Sequence, residues 1–176
     1  LMRIQSLSGE VGSLTQITYP RTVVANNMKA DLNEMSRSML SILVMTDDGQ
    51  IKGELANIEK YNKIHEANVA KLHQLITDAE GQELLKKMDD LRAKALKGQQ
   101  SFVKLINENL KEDAMTKFLF SVRSAQTKYF NALDTLIEQQ NRSMEQAGEQ
   151  CAHAADKGGK RKCMEFRLDD QDRKST

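Results

Sequence analysis

The chain has 176 residues, one proline, no tryptophan, 39% apolar and 29% charged residues, and a formal net charge of +1. The helix formers Ala, Leu, Lys, Glu, Gln and Met dominate and long β-branched runs are missing, which points to a single all-α domain. The near-neutral charge excludes nucleic-acid binding by bulk electrostatics, since the only basic cluster, Lys157 to Lys162, lies in a Gly-broken tail.

No run of 18 or more apolar residues is present, so no membrane span is expected within this stretch. Leu1 to Leu7 has no apolar core of a signal peptide. The chain is thus expected to be either cytosolic or cut free of its targeting and membrane segments. Cys151 and Cys163 both fall near the C-terminus and provide no disulfide framework for a core.

Leu1 to Thr18 keeps rough helical spacing in spite of Gly9 and Gly12, and reads as a frayed or helical lead-in. Pro20 suits a first helical turn, or a kink in a continuous helix. The first clear helix spans about Pro20 to Thr46. Val24, Met28, Leu32, Met35, Met39 and Ile42 recur at steps of three and four and form its core stripe. Asp47-Asp48-Gly49 ends it. The stretch Tyr19 to Asp48 is the one against which the later segments would pack.

The second helix is expected from about Gln50 to Ile76, with Asn62 and His65 interrupting its stripe at mid-height. Thr77, Asp78 and Gly81 mark the next connection. The third helix is expected from about Glu80 to Leu110, with Leu84, Met88, Leu91, Ala95, Phe102, Leu105 and Ile106 inward and Gly98 inside it. Gly98 costs roughly 1 kcal/mol against Ala, which either a close backbone approach or simple tolerance explains. The fourth helix is expected from about Asp113 to Glu149, with Met115, Phe118, Val122, Gln126, Tyr129, Leu133, Leu136, Gln140 and Met144 on its stripe. Short connections make neighbours antiparallel, so the expected architecture is an up-down-up-down four-helix bundle with long helices. Residues 1–150 form this domain; residues 151–176, with Gly158-Gly159 and a run of charges, are expected to be a disordered or foreign tail.

Catalytic and metal constellations are missing. Inward Glu-x-x-His pairs would mark a di-iron bundle, but His65, His73 and His153 are preceded three residues earlier by Asn62, Ala70 and Gln150. There is no Gly-rich phosphate loop, no Gly-x-Ser-x-Gly and no Ser-x-x-Lys arrangement. Cys151, His153 and Cys163 lack a fourth metal ligand. No enzyme activity, metal or cofactor is expected.

A set of spread motifs carries more information. In the first helix these are Tyr19-Pro20-Arg21, Ala25-Asn26-Asn27-Met28, Leu32-Asn33-Glu34-Met35, Arg37 and Met39-Leu40. The second helix is glutamate-rich from Gly53 to Lys60, and the last holds Gln126, Tyr129-Phe130, Ala132-Leu133, Leu136-Ile137 and Gln140. Through them residues 14 to about 146 resemble the four-helix-bundle sensor domain of bacterial methyl-accepting chemotaxis proteins. The resemblance implies the periplasmic domain of an inner-membrane receptor, a homodimer (or higher oligomer) paired along the first helix, and a small ligand held between the first helices and the start of the last. Binding would shift the last helix slightly along its axis. The tail after about Gln150 departs from the pattern, in which the chain soon enters a membrane helix.

The resemblance places ligand-holding arginines below the far end of the first helix, and Arg37 lies there, the only basic residue between Lys29 and Lys52. A planar guanidinium grips a carboxylate through two hydrogen bonds. A solvated or ion-paired arginine is the plainer reading. Asn33 and Ser41 flank Arg37 at four residues on either side. On the last helix Arg123, Gln126, Thr127 and Tyr129 are candidates. Gln126 is equally a core glutamine bonded to another helix, and Tyr129 equally core packing. Two arginines would suit a di- or tricarboxylate such as malate or citrate; one arginine with an acidic partner such as Glu34 would suit an amino acid. The alternative function is a structural or protein-interaction bundle with no small ligand.

Overall fold

The computed structural model describes the backbone of residues 3–156 and the side chains of residues 21–150, 152 and 153. Four antiparallel helical arms make up the bundle: α1 (Arg3–Val44), α2 (Asp48–Leu75), α3 (Ala79–Asn107), and a fourth arm made of α4 (Lys111–Lys117), a π-helical turn (Phe118–Val122) and α5 (Arg123–Asp156). The all-α up-down-up-down architecture is as the spacing predicts. No described helix is long and apolar enough to cross a membrane.

The turns follow from local chemistry. Asp47 caps α2 by accepting from the Gln50 amide at 2.8 Å, and Asp78 caps α3 by accepting from the Gly81 amide at 2.9 Å. Each carboxylate satisfies an amide that the first helical turn leaves unpaired, next to the positive end of the helix dipole. The α3–α4 turn passes through Asn109 at φ 59°, a left-handed conformation that asparagine tolerates. Lys111 closes this end by donating to the Met45 carbonyl at the end of α1.

Two ends can therefore be told apart. One carries the α1–α2 and α3–α4 turns and is called the far end; the other carries the α2–α3 turn. α1 has 42 residues and α5 has 34, against 28 and 29 in α2 and α3. α1 is about 60 Å long at ~1.5 Å per residue, and it is one continuous helix through Pro20. The expected lead-in therefore joins the first helix. α5 likewise takes in the first residues of the expected tail, whose remainder, 157–176, lies outside the described residues.

The core has two apolar clusters. Met28, Leu32, Met35, Leu72, Leu85 and Leu133 belong to the one nearer the α2–α3 turn, and Met39, Ile42, Ile58, Phe102, Phe118 and Val122 to the far one. Polar groups cross the bundle between them. Asn62 of α2 donates to Gln99 of α3 at 2.7 Å, and Gln99 donates to the Met35 sulfur at 3.1 Å.

The fourth arm corrects the expected stripe at one end. Ala114 is fully buried, and Met115 is 45% exposed. Core positions here fall at steps of four, 114, 118, 122 and 126. In a regular α-helix such a row drifts about 40° per step around the axis. The π turn underwinds the helix and absorbs the drift, with the Arg123 amide bonding back five residues to the Phe118 carbonyl. In α3 the fully buried leucine is Leu85, and Leu84 packs only at the edge.

Candidate functional site

A groove of about 480 Å³ runs between α1 and the fourth arm, toward the far end. α1 supplies Leu32, Asn33, Ser36 and Leu40, spaced so that one helix face lines it. The fourth arm supplies Phe118, Arg123, Gln126, Thr127 and Phe130. The π turn ends at Val122 and Arg123 follows it directly, so the same underwinding that keeps the core in register also sets the position of the groove's one guanidinium.

The floor is closed by a hydrogen bond between helices. The Ser36 hydroxyl donates to Gln126 Oε1 at 2.7 Å. Gln126 is 9% exposed, so its carboxamide needed such a partner. Among the described residues the side chains of Asn33, Arg123 and Thr127 make no hydrogen bond or ion pair. These are exposed polar groups with open valences on one concave surface.

Four of the residues expected from sequence, Asn33, Arg123, Gln126 and Thr127, thus share one groove. The other three lie elsewhere. Arg37 points away from the core, 52% exposed, and its guanidinium meets Glu34 at 3.1 Å and Glu54 of α2 at 3.6 Å. Both carboxylates hold its proton more firmly than usual, the hydrogen bond to Glu34 most of all. Ser41 is half-buried outside the groove lining. Tyr129 is a core residue, 1% exposed. Ser36 was missed by sequence reasoning, although it stands three residues from Asn33 on the same helix face.

Behind Gln126 lies a second, water-sized space of about 30 Å³. Leu32 and Gln126 border both it and the groove, and Asn62, His65, Arg92, Gln99 and Tyr129 complete its polar wall. The His65 Nε2 and the Tyr129 hydroxyl are 2.5 Å apart. The other ring nitrogen, Nδ1, lies 3.5 Å from Asp31 Oδ2, which accepts from Asn68 Nδ2 at 3.1 Å. Burial pushes the His65 pKa down to about 4, with the Arg92 charge adding to it, and burial raises the Asp31 carboxyl and the Tyr129 phenol. The imidazole is therefore neutral at pH 7. Gln126 is the wall between the open groove and this interior layer.

Two more links tie α1 to α5 below the groove. Lys29 Nζ pairs with Asp134 Oδ1 at 2.5 Å and lies 4.7 Å from the Phe130 ring centre. Arg21 donates to Gln140 Oε1 at 3.1 Å. Gln140 in turn donates to Asp78 at 2.9 Å, and Gln139 donates to the same carboxylate at 2.7 Å. Burial alone would raise Asp78, but the bonds from Gln140, the Gly81 amide and Gln139 together hold it below the usual carboxylate range.

A family model described as a four helix bundle sensory module for signal transduction matches residues 18–155. No curated protein matches the chain.

Proposed function

The chain belongs to the four-helix-bundle sensory modules of methyl-accepting chemotaxis proteins, and on that premise we propose that it is the periplasmic sensor domain of an inner-membrane chemoreceptor, holding a small organic acid in the α1/α5 groove. One observation carries the ligand reading. Arg123, a guanidinium with no ion pair among the described residues, shares a concave surface with the unengaged Asn33 and Thr127. A carboxylate there would take two parallel hydrogen bonds from the guanidinium.

The rungs between α1 and α5 support a helix-displacement mechanism. Ser36–Gln126, Lys29–Asp134 and Arg21–Gln140 descend in order from the groove toward the α2–α3 turn. A small axial shift of α5 would remake each of them, and discrete repacking of this kind is how small shifts at a site become transmissible. A ligand drives the shift only through a difference in affinity between the two positions of α5.

A homodimer along α1 completes the reading. Val44 is 81% exposed near the far end of α1, and Arg37 is on the same outward side of the helix. In a pair of chains Arg37 would meet the second copy. A di- or tricarboxylate such as malate or citrate would need that second guanidinium beside Arg123.

The test is a thermal-shift and calorimetry screen of the 176-residue chain against small organic acids and amino acids. A hit lost in Arg123→Gln supports the sensor reading. No hit across the carboxylate panel, with an unmoved melting temperature, sinks it and leaves a protein-interaction bundle.

A further inference from the structure

The lining of the groove bears on which kind of acid it would take. We infer that it is built for a monocarboxylate with an apolar body and no amino group; this rests on the sensor reading above. The carboxylate would sit at Arg123, and the body along Leu40, Phe118 and Phe130.

Charge argues first. The groove lining contains one basic residue, Arg123, and no acidic one. A second carboxylate on the ligand would be drawn into a partly apolar cleft without a second cation, and an unpaired charge there is costly. Arg37 is engaged with Glu34 and Glu54, and Lys29 with Asp134, while Lys117 and Lys128 adjoin groove residues in sequence but do not line the groove. An α-amino group would likewise find no carboxylate. Glu34, the acid nearest in sequence to the groove residue Asn33, is bound to Arg37 and does not line the groove.

The apolar lining argues second. Leu40 is 51% exposed at the rim, although the other leucine of the groove, Leu32, is 6% exposed. Phe118, 2% exposed, backs the lining and the partly buried Phe130 adds to it, so that Leu40 offers apolar surface that a hydrocarbon chain or ring would cover. Covering a methylene changes affinity by about fourfold. A volume of about 480 Å³ leaves room for a body well beyond acetate.

The experiment is calorimetry on the whole chain at neutral pH with acetate, butanoate and hexanoate, set against succinate, citrate, phenylalanine and hexan-1-ol. The expected result is a rise of about fourfold per methylene along the monocarboxylates. Hexanoate should exceed succinate, citrate and phenylalanine. Arg123→Gln, at an exposed position, should lower hexanoate affinity by about tenfold or more, and hexanol should bind no better than that variant binds hexanoate. Leu40→Ser should flatten the chain-length gradient and spare acetate. Succinate, citrate or phenylalanine binding more tightly than hexanoate overturns the class assignment and leaves the sensor reading standing. Binding by no carboxylate overturns both. Hexanoate affinity unaffected by Arg123→Gln, in a variant with an unchanged circular dichroism spectrum, also overturns the assignment.

Discussion

His65 Nε2 stands 2.5 Å from the Tyr129 hydroxyl oxygen, and the ring planes of the two side chains cross at 84°. The contact runs diagonally across the bundle, from α2 to α5, and both residues are almost fully buried. It ties the helix expected to move to one of the helices expected to stay.

Acid should loosen this contact. The His65 pKa falls to about 4 in the fold against an ordinary 6.5, so the unfolded chain binds more protons between those values. Stability from this group is complete above about pH 6.5 and is lost as pH falls through the window toward 4. The loss between pH 7.5 and pH 5 should be about 2 kcal/mol. Asp31 acts in the opposite sense lower down, because its raised pKa gives the fold extra proton uptake as pH falls toward the ordinary carboxylate value. Chemical denaturation at pH 7.5, 6 and 5 measures the slope. His65→Gln should flatten it, and an equal slope in that variant would assign the acid sensitivity to other groups.

The two buried glycines of α3 should respond oppositely to alanine. A Cβ at Gly98 would meet Val122 at 3.6 Å and 3.8 Å, ordinary contact distances. Gly98→Ala should therefore stabilise by about 0.5–1 kcal/mol, through helix propensity and a less flexible unfolded chain. A Cβ at Gly81 would lie 2.5 Å from Ile76 Cγ2 and 2.6 Å from Asp78 Oδ1. Gly81→Ala should destabilise by about 1–3 kcal/mol, since it overpacks the turn and displaces the cap. Thermal or urea unfolding of the two variants decides it.

The helical arms were legible because their stripes repeat at three and four over many turns, a pattern that long helices repeat often enough to make certain. The register of Met115 against Ala114 was not, because a π turn is a local change of winding that the same spacing of four conceals. Asp31 and Gln139 were invisible for another reason. Both are buried, and their partners Asn68 and Asp78 lie 37 and 61 residues away. Arg37 stood out as a lone base, and Glu34 three residues before it was visible as a partner. Glu54 required the α1–α2 pairing. Arg123 looked like an ordinary surface arginine until the groove gathered Asn33, Ser36 and Thr127 around it.

Asp78 joins the α2–α3 turn to α5 by accepting from Gly81, Gln139 and Gln140 at once. Asp78→Ala removes the cap and leaves the buried Gln139 amide nitrogen without its partner, while Gln140 loses one of its bonds and keeps those to Gln139 and Arg21. The cost should be about 2–4 kcal/mol, above the ~1 kcal/mol of a cap alone. Hydrogen exchange should show the loss centred on the start of α3 and on α5 near Gln140. A change confined to the α3 cap would mean that α5 is not held by this turn.

Arg37 should prove cheap for the fold and important for assembly. Its ion pairs are exposed, so Arg37→Ala should leave the melting temperature nearly unchanged. If a second copy meets α1 at Arg37, sedimentation should show the wild-type dimer tightening when a saturating carboxylate is added, by linkage, and the variant should lose that dependence. A dimer constant indifferent to ligand in the wild type would show that pairing along α1 does not respond to the groove.

The most direct test of the groove is chemical-shift mapping by NMR with hexanoate titrated into the isotope-labelled chain. The predicted result is that the largest perturbations fall on Asn33, Ser36, Arg123 and Thr127, with smaller ones passing through Gln126 to Tyr129 and His65. Perturbations centred on Arg37 and Glu54, with Arg123 and Thr127 unmoved, would contradict it.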